Sequence, residues 1–290
     1  MPIEAKNLAV RVAVSIVGIP AILFVSWHGG WWWSGFLMLL AFAGFWEYAR
    51  LTKLPGFLLF SGWVLGFGYL YRLTTASGHF VNEFLLLGFF TVAAFLILRR
   101  KVEGSVSEAA HFILGMIYLP GLLGFGKSLE LWLRKVPAGV NITIGGENLL
   151  RVTEVHPELW LLVFLWAVIW TSDTAAYFVG AKLGRSHPFP TVSPNKTLEG
   201  FGGGLVGAII VAVIFFLTQK LELGLGLTIG LALTVAFFGQ MGDLFESLLK
   251  RSSDVKDASR LIAGHGGVLD RFDSFLFAIP AAYFFAVFFA

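Results

Sequence analysis

Four aspartates suggest the chemistry of this sequence, because each lies in or beside a strongly apolar segment. Asp173 lies inside WAVIWTSDTAAYFVG and Asp243 lies near the end of FFGQMGDLFESLL, while Asp270 and Asp273 open the last apolar segment. Placing a carboxylate in a bilayer costs at least about 2.5 kcal/mol. Each of the four is therefore a candidate functional residue.

Two features indicate that these aspartates bind a hard cation. Asp270 and Asp273 are three positions apart and share one helical face, and Asp243 follows Gly239 and Gly242, which permit close approach of another backbone or a ligand. Mg²⁺ is typically held by one or two carboxylates together with substrate phosphates, and two-metal sites support phosphoryl and nucleotidyl transfer. A helix cap is the alternative role for one of the Asp270–Asp273 pair.

The loop before the last apolar segment is rich in cations that suit phosphate oxygens. Contact with anionic lipid headgroups is the alternative role, although the interspersed aspartates argue against a simple lipid tether. His265, between glycines, is consistent with a general base, a phosphate donor or a turn residue. The cations of this loop are Lys250, Arg251, Lys256 and Arg271.

For Glu246 we expect a solvated helix edge.

The composition excludes most soluble classes of protein. The chain has 290 residues, of which 57% are hydrophobic and 13% charged, and its mean hydropathy is +0.79. Soluble domains carry about 25% charged residues. The absence of cysteine excludes disulfides, thiol nucleophiles and Cys-ligated metals, and a formal net charge of +3 is too small to indicate a nucleic-acid partner. We therefore predict an all-α, polytopic integral membrane protein surrounded by membrane lipids.

Apolar runs near the length that crosses a bilayer, about 17–25 residues, predict nine transmembrane helices. Most of the 21 Lys and Arg residues fall on one side if the N-terminus is cytoplasmic, as the positive-inside rule requires. The prediction is an N-in, C-out topology in a bacterial-type cytoplasmic (inner) membrane, with the candidate site facing the cytoplasm. Pro120 and neighbouring glycines predict a kinked or broken fifth helix. The predicted spans are 10–27, 31–49, 56–73, 84–98, 111–126, 159–181, 200–218, 224–246 and 274–290.

The spans divide the chain into N-terminal transmembrane helices at 1–126, an extracytoplasmic loop at 127–158 and a C-terminal transmembrane catalytic region at 159–290. Within the loop, VNITIGGENLLRVTEV alternates between apolar and polar residues. This pattern predicts a short β-hairpin that turns at Gly145-Gly146.

The C-terminal part of the chain resembles the phosphatidate cytidylyltransferases, also called CDP-diacylglycerol synthases. Asp173 and Gln240-x-Gly242-Asp243 match positions of that family, whereas Ala258 and Ala263 depart from it at positions that are not ligands. The long signature is Ser247-x-Leu249-Lys250-Arg251-x4-Lys256-Asp257-x-Ser259-x2-Ile262-x2-His265-Gly266-Gly267-Val268-x-Asp270-Arg271-Phe272-Asp273, and the upstream motif is Ser193-Pro194-Asn195-Lys196-Thr197-x-Glu199-Gly200.

The resemblance implies a multi-span membrane enzyme that condenses CTP with phosphatidic acid and releases pyrophosphate. It implies Mg²⁺, and a second cation, held by Asp243, Asp270 and Asp273. The basic residues of the loop, with His265, then complete the catalytic set. The oligomeric state stays open between a monomer and a homodimer. The nucleotide-binding candidates are Asp173, Ser193, Asn195, Lys196, Thr197 and Glu199.

Three other functions compete with this interpretation. A CTP-dependent kinase acting on a polyprenol-type lipid alcohol needs a general base, for which His265 and Asp257 are the candidates. A cation-coupled transporter would use Asp173 and Asp243 as cation sites, but the N-terminal spans contain few polar residues. A structural scaffold leaves the intramembrane aspartates without a role.

Overall fold

The computed structural model describes residues 2–76, 80–100, 102–135, 141–144, 147–151, 157–218, 221, 223–259, 261–262 and 266–289. Its helices are α1 (Pro2–His28), α2 (Gly30–Leu51), α3 (Gly56–Thr75), α4 (Val81–Arg99), α5 (Ser105–Met116), α6 (Leu122–Lys135), α7 (Pro157–Leu183), α8 (Leu198–Leu217), α9 (Leu225–Ser252) and α10 (Leu269–Phe289). A π-helical turn, Ile117–Gly121, joins α5 to α6, and two strands, β1 (Asn141–Ile144) and β2 (Glu147–Arg151), precede α7.

Eight of the nine predicted spans lie within single helices to within one residue at their ends, and the fifth covers parts of α5 and α6 with the π-helical turn between them. A long apolar run satisfies its backbone groups within a bilayer only as a helix. Among the described residues, six helical segments are long and apolar enough to cross a membrane. The chain is therefore an integral membrane protein with a helical, polytopic fold. These segments are Val81–Arg99, Ser105–Leu133, Trp160–Leu183, Leu198–Leu217, Leu225–Ser252 and Leu269–Phe289.

The fifth predicted span is interrupted as expected. Pro120 lies within the π-helical turn between α5 and α6, and a proline inside a helix removes a backbone hydrogen bond from the helical ladder. A side chain at Gly121 would place its Cβ 3.0 Å from the carbonyl oxygen of Met116. The turn therefore accommodates the proline while the helix continues to Lys135.

The predicted hairpin is confirmed. Strands β1 and β2 pair antiparallel from Asn141 opposite Arg151 to Ile144 opposite Glu147, with an irregularity between Ile142 and Thr143. The predicted turn at 145–146 lies outside the described residues.

The chain divides into two compact units, each made of discontinuous segments. The first unit comprises residues 1–25, 30–127 and 252–272. Within it, one face of α2 is buried, with Trp33, Phe45 and Tyr48 at most 1% exposed, whereas Trp32 and Leu39 are exposed. The Trp33 indole donates to the Gly126 carbonyl oxygen at 3.1 Å, and the Tyr48 hydroxyl donates to that of His111 at 2.9 Å. These bonds fix α2 against α5 and α6.

The second unit comprises residues 26–29, 128–251 and 273–290. Its helices α7 and α8 approach closely because small residues line their contact. A side chain at Gly203 would place its Cβ 2.6 Å from the Cβ of Val179, and one at Gly207 would lie 2.9 Å from the Cβ of Ala175. Small residues allow such approaches in membrane helix pairs. This packing fixes the part of α7 that carries Asp173.

Candidate active site

The second unit brings an aspartate and a lysine from distant parts of the sequence into contact. Lys196, in the loop before α8, lies with its Nζ 2.8 Å from Oδ2 of Asp243 on α9. Both side chains are partly buried, at 28% and 38% exposed. This ion pair brings together two residues that sequence analysis had identified separately as candidates for the site.

Two further carboxylates lie near enough to interact electrostatically with Asp243. They belong to Asp173 on α7 and Asp273 on α10. Oδ1 of Asp273 accepts a hydrogen bond from the backbone N–H of Ser274 at 2.7 Å. Three of the four aspartates predicted to carry chemistry are thus gathered in this unit.

Gly242 is the residue that allows α10 to approach Asp243. A Cβ at position 242 would collide with the carbonyl oxygen of Asp273 and would lie 3.1 Å from the Cβ of Phe277. The predicted close approach of another backbone is confirmed here. At Gly239 an added Cβ would meet Ser274 only at an ordinary contact distance of 3.6 Å, so position 239 does not require glycine for space.

Glu246, expected at a solvated helix edge, is instead only 1% exposed, and that expectation is wrong. Its carboxylate pairs with Lys250 one turn further along α9 and also interacts electrostatically with Asp273. The burial of Glu246 explains the pairing, because a lone buried charge is costly. Lys250 therefore has a protein partner as well as its predicted role toward phosphate.

The donor set fits a divalent cation. Asp173, Asp243, Asp273 and Glu246 carry four negative charges when ionised, whereas Lys196 and Lys250 carry two positive ones. Hard cations prefer such carboxylate oxygens. Within the described part of the chain, no three acidic or histidine side chains converge into a metal site made by the protein alone. Substrate phosphates would therefore have to complete the coordination of a bound Mg²⁺.

Asp270 belongs to the first unit, where it organises the loop before α10. Its Oδ2 accepts hydrogen bonds from the backbone N–H of Gly267 at 2.7 Å and of Ala258 at 3.1 Å. Gly266 adopts a φ of +88°, which lets the chain turn beneath this carboxylate. Asp270, in the first turn of α10, thus holds the preceding loop through two of its N–H groups.

Glu47 was missed by sequence analysis, although it fastens the same loop. This fully buried residue of α2 accepts hydrogen bonds from the backbone N–H of Val268 at 2.9 Å and of Leu269 at 2.8 Å, and from the hydroxyl of Ser259. A Cβ at Gly267 would lie 2.7 Å from the Glu47 carboxylate. A charged residue inside the apolar run FLMLLAFAGFWEYAR was the available signal.

Several nucleotide-binding candidates form structural hydrogen bonds. The buried Thr197 hydroxyl accepts from the backbone N–H of Gly200 at 3.1 Å and caps α8. Glu199 accepts from the backbone N–H groups of Arg185 and Ser186 at 3.1 and 3.2 Å. These bonds fold the loop that carries Lys196.

The remaining candidates are more exposed. Ser193 is partly exposed, and Asn195 is exposed in the turn before Lys196. Arg251 donates to the carbonyl oxygen of Val192 at 3.4 Å. In the first unit, Lys256 and Arg271 have exposed side chains. His265, Ala263 and Arg260 lie outside the described residues.

Comparison with known proteins identifies the family of this chain. The profile of the cytidylyltransferase family matches residues 9–289. A phosphatidate cytidylyltransferase of Staphylococcus saprophyticus is 31% identical over 278 residues, which cover 94% of this chain and 96% of the relative. One from Synechocystis is 29% identical over 286 residues, with 96% of each chain covered. One from Bacillus subtilis is 52% identical over 117 residues, and that match spans 44% of the relative. With both a profile that spans nearly the whole sequence and a full-length relative above 30% identity, the chain belongs to the cytidylyltransferase family of nucleotidyltransferases.

Proposed function

We propose that this chain is a phosphatidate cytidylyltransferase, which condenses CTP with phosphatidic acid to CDP-diacylglycerol and pyrophosphate in phospholipid biosynthesis. The observation that carries the proposal is the Lys196–Asp243 ion pair, set among Asp173 and Asp273 on membrane helices. A site with carboxylates for a cation and an ammonium group for phosphate suits a reaction between two polyanions. The full-length relatives carry this activity in their names.

In the proposed reaction, a phosphate oxygen of phosphatidate attacks the α-phosphorus of CTP. One P–O bond forms, and the bond to the β-phosphate breaks, so that the bonding electrons leave with pyrophosphate. The nucleophile is already an anion, which makes a strong general base unnecessary. The barrier is mainly electrostatic, because two negatively charged reactants must meet.

Asp243 and Asp273 are the proposed carboxylate ligands of Mg²⁺, and Asp173 supplies further negative charge near them. When bound, the metal would neutralise phosphate charge on the reacting groups. Lys196 would exchange its contact with Asp243 for a phosphate oxygen of CTP. It stays a prediction that Asp270 is a metal ligand. The role toward phosphate also stays a prediction for Arg251, Lys256, Arg271 and His265.

We also propose nine spans in an N-in, C-out topology, in the cytoplasmic (inner) membrane of a bacterium. The distribution of Lys and Arg supports this orientation. Bacterial relatives support the choice of membrane. CTP would then reach the loop that carries Lys196 from the cytoplasm, and phosphatidate would enter from the bilayer.

The proposal is tested with purified protein in detergent, phosphatidate, Mg²⁺ and CTP labelled either on its α- or on its γ-phosphate. The expected result is transfer of the α label to lipid, with one pyrophosphate released per lipid product. Transfer of the γ label instead would identify a lipid kinase and contradict the proposal. An absence of lipid labelling with either nucleotide would also contradict it.

A further inference from the structure

A cavity in the first unit is lined by three cations, two of which, Arg50 and Lys53, have no role in the proposed reaction. Its volume is about 700 Å³, within the range of roughly 300–1,000 Å³ typical of small-molecule sites. Its walls come from the end of α2 and from the loop that follows α9. The lining residues are Trp46, Arg50, Leu51, Lys53, Ser253, Val255, Lys256, Asp257, Ala258, Ser259 and Leu261.

The cavity carries an excess of positive charge. Arg50, Lys53 and Lys256 line it together with a single carboxylate, that of Asp257. In the described part of the chain, none of the three cations forms an ion pair. The guanidinium of Arg50 instead stacks over the ring of Trp46, 4.8 Å from the ring centroid. The resulting charge of +2 complements a phosphate group, whose charge as a monoester is about −1.5 to −2.

The apolar part of the lining favours the phosphate of a lipid over a free phosphate as a ligand of this cavity. Leu51, Val255 and Leu261 share the cavity with the cations, and Trp46 lies one turn before Arg50 at the end of α2. Trp residues and Lys or Arg residues at the ends of membrane helices lie at the level of lipid headgroups. A site that is cationic on one side and apolar on the other suits an amphiphile better than a free phosphate.

Lys53 provides independent support, because its backbone conformation favours glycine. Its φ is 54°, and its N–H donates to the carbonyl oxygen of Arg50, while that of Leu54 donates to Ala49. These two bonds form a Schellman ending of α2, in which the residue at the position of Lys53 is usually glycine. A lysine there is disfavoured by its Cβ. Its side chain reaches the cavity, which gives a reason for a lysine at this position.

We propose that this cavity binds the phosphate headgroup of an anionic phospholipid through Arg50, Lys53 and Lys256. The guanidinium of Arg50 presents paired N–H donors to phosphate oxygens, and the two ammonium groups add point charges. The inference concerns binding alone, so its test requires no turnover and is independent of the proposed transferase activity.

The test compares Lys53→Gly with the matched control Arg100→Gly. Arg100 also follows a membrane helix with a φ of 55°, but it does not line the cavity. Both exchanges remove one cation and replace a residue that disfavours a positive φ with glycine, which adopts it freely. Both variants are therefore expected to keep or raise the thermal midpoint of the wild type. Only Lys53→Gly is expected to weaken lipid binding.

Binding is measured by calorimetry on full-length protein in neutral detergent with EDTA. The ligands are short-chain phosphatidate, phosphatidylglycerol and phosphatidylcholine, together with CTP and inorganic phosphate. We expect Lys53→Gly, and likewise Arg50→Gln, to lower the affinity for phosphatidate and phosphatidylglycerol about tenfold, the effect of losing one charged hydrogen bond. A loss confined to phosphatidate also supports the proposal and identifies a monoester headgroup as the ligand.

Three results would overturn the proposal. The first is unchanged affinity for both anionic lipids in Lys53→Gly and Arg50→Gln. The second is an equal loss in Arg100→Gly, which would indicate a nonspecific charge effect. The third is a loss confined to CTP or inorganic phosphate, which would assign the cavity to a soluble phosphate compound.

Discussion

At the scale of single residues, Lys196 and Asp243 neutralise each other in a partly buried ion pair. Lys196→Met leaves the Asp243 carboxylate without this partner and removes an ammonium group from the site. Loss of one preorganised electrostatic contact typically lowers the rate by about 10²–10³-fold. We expect such a fall in cytidylyl transfer, measured as lipid labelling from α-labelled CTP.

Lys182→Met is the matched control for this prediction, because Lys182 is an exposed lysine at the end of α7. It should retain wild-type activity. If Lys196→Met were as active as Lys182→Met, Lys196 would have no role in cytidylyl transfer.

Glu47 is the second residue whose charge has a specific structural consequence. The N–H groups of Val268 and Leu269 donate to different oxygens of Glu47, and Glu47→Gln replaces one of these oxygens with an NH₂ group, which is unable to accept a hydrogen bond. Leaving a buried donor unsatisfied costs about 1–3 kcal/mol. We expect a lower thermal midpoint, measured in detergent, together with reduced activity.

Glu83→Gln, an exchange at an exposed position of α4, serves as the control and should leave the midpoint unchanged. If Glu47→Gln melted like the wild type, Glu47 would not fasten the loop before α10.

Sequence reasoning identified Asp173, Asp243 and Asp273 because charged residues in or beside apolar runs stand out, whereas Lys196 became a candidate through the motif of its loop. It missed Glu47 although the same rule applied, because no motif accompanied that residue. It also had no means of separating Asp270, which accepts from loop N–H groups in the first unit, from Asp273, which lies near Asp243 in the second.

At the scale of helices, α9 and α10 meet at Gly242, next to Asp243. Gly242→Ala introduces a Cβ that collides with the carbonyl oxygen of Asp273. Relieving that overlap must shift one of the two helices, and a displacement near 1 Å in an active site costs about a hundredfold in rate. We therefore expect activity to fall by at least tenfold, measured in the same labelling assay.

Gly239→Ala, one turn earlier on α9, adds the same methyl group at an ordinary contact distance from Ser274. It should keep its activity. If both alanine variants lost activity to a similar extent, the loss in Gly242→Ala would not arise from its collision with α10.

The helices themselves were largely predictable. Apolar runs located the long helices, and Pro120 indicated the interruption between α5 and α6. Both signals are local in sequence. The contacts between helices were not predictable in the same way. The buried state of Glu246 depends on its pairing with Lys250 inside the fold, and the sequence pattern alone favoured a solvated edge.

At the scale of the whole molecule, the orientation in the membrane is open to a direct test, because the sequence contains no cysteine. Single cysteines at exposed positions therefore report their own side of the membrane. The N-in topology places His187 in the cytoplasm and Thr218, the last residue of its predicted span, at the extracytoplasmic surface. A membrane-impermeant maleimide added to spheroplasts is expected to label Thr218→Cys but to label His187→Cys only after lysis.

The reverse labelling pattern would contradict the N-in topology. It would also move the loop that carries Lys196 to the side of the membrane away from cytoplasmic CTP. Detergent-solubilised protein, in which both cysteines should react, controls for their accessibility.

The central claim is that the carboxylates around Asp243 support transfer of a cytidylyl group to phosphatidate. Asp243→Asn tests it most directly, because the side chain keeps its shape and loses its charge. With the folded state monitored by thermal melting and size-exclusion chromatography, transfer of the α label from CTP to lipid is measured in Mg²⁺. We expect the wild-type enzyme to label phosphatidate and the folded variant to leave it unlabelled. Full activity in folded Asp243→Asn would contradict the central claim.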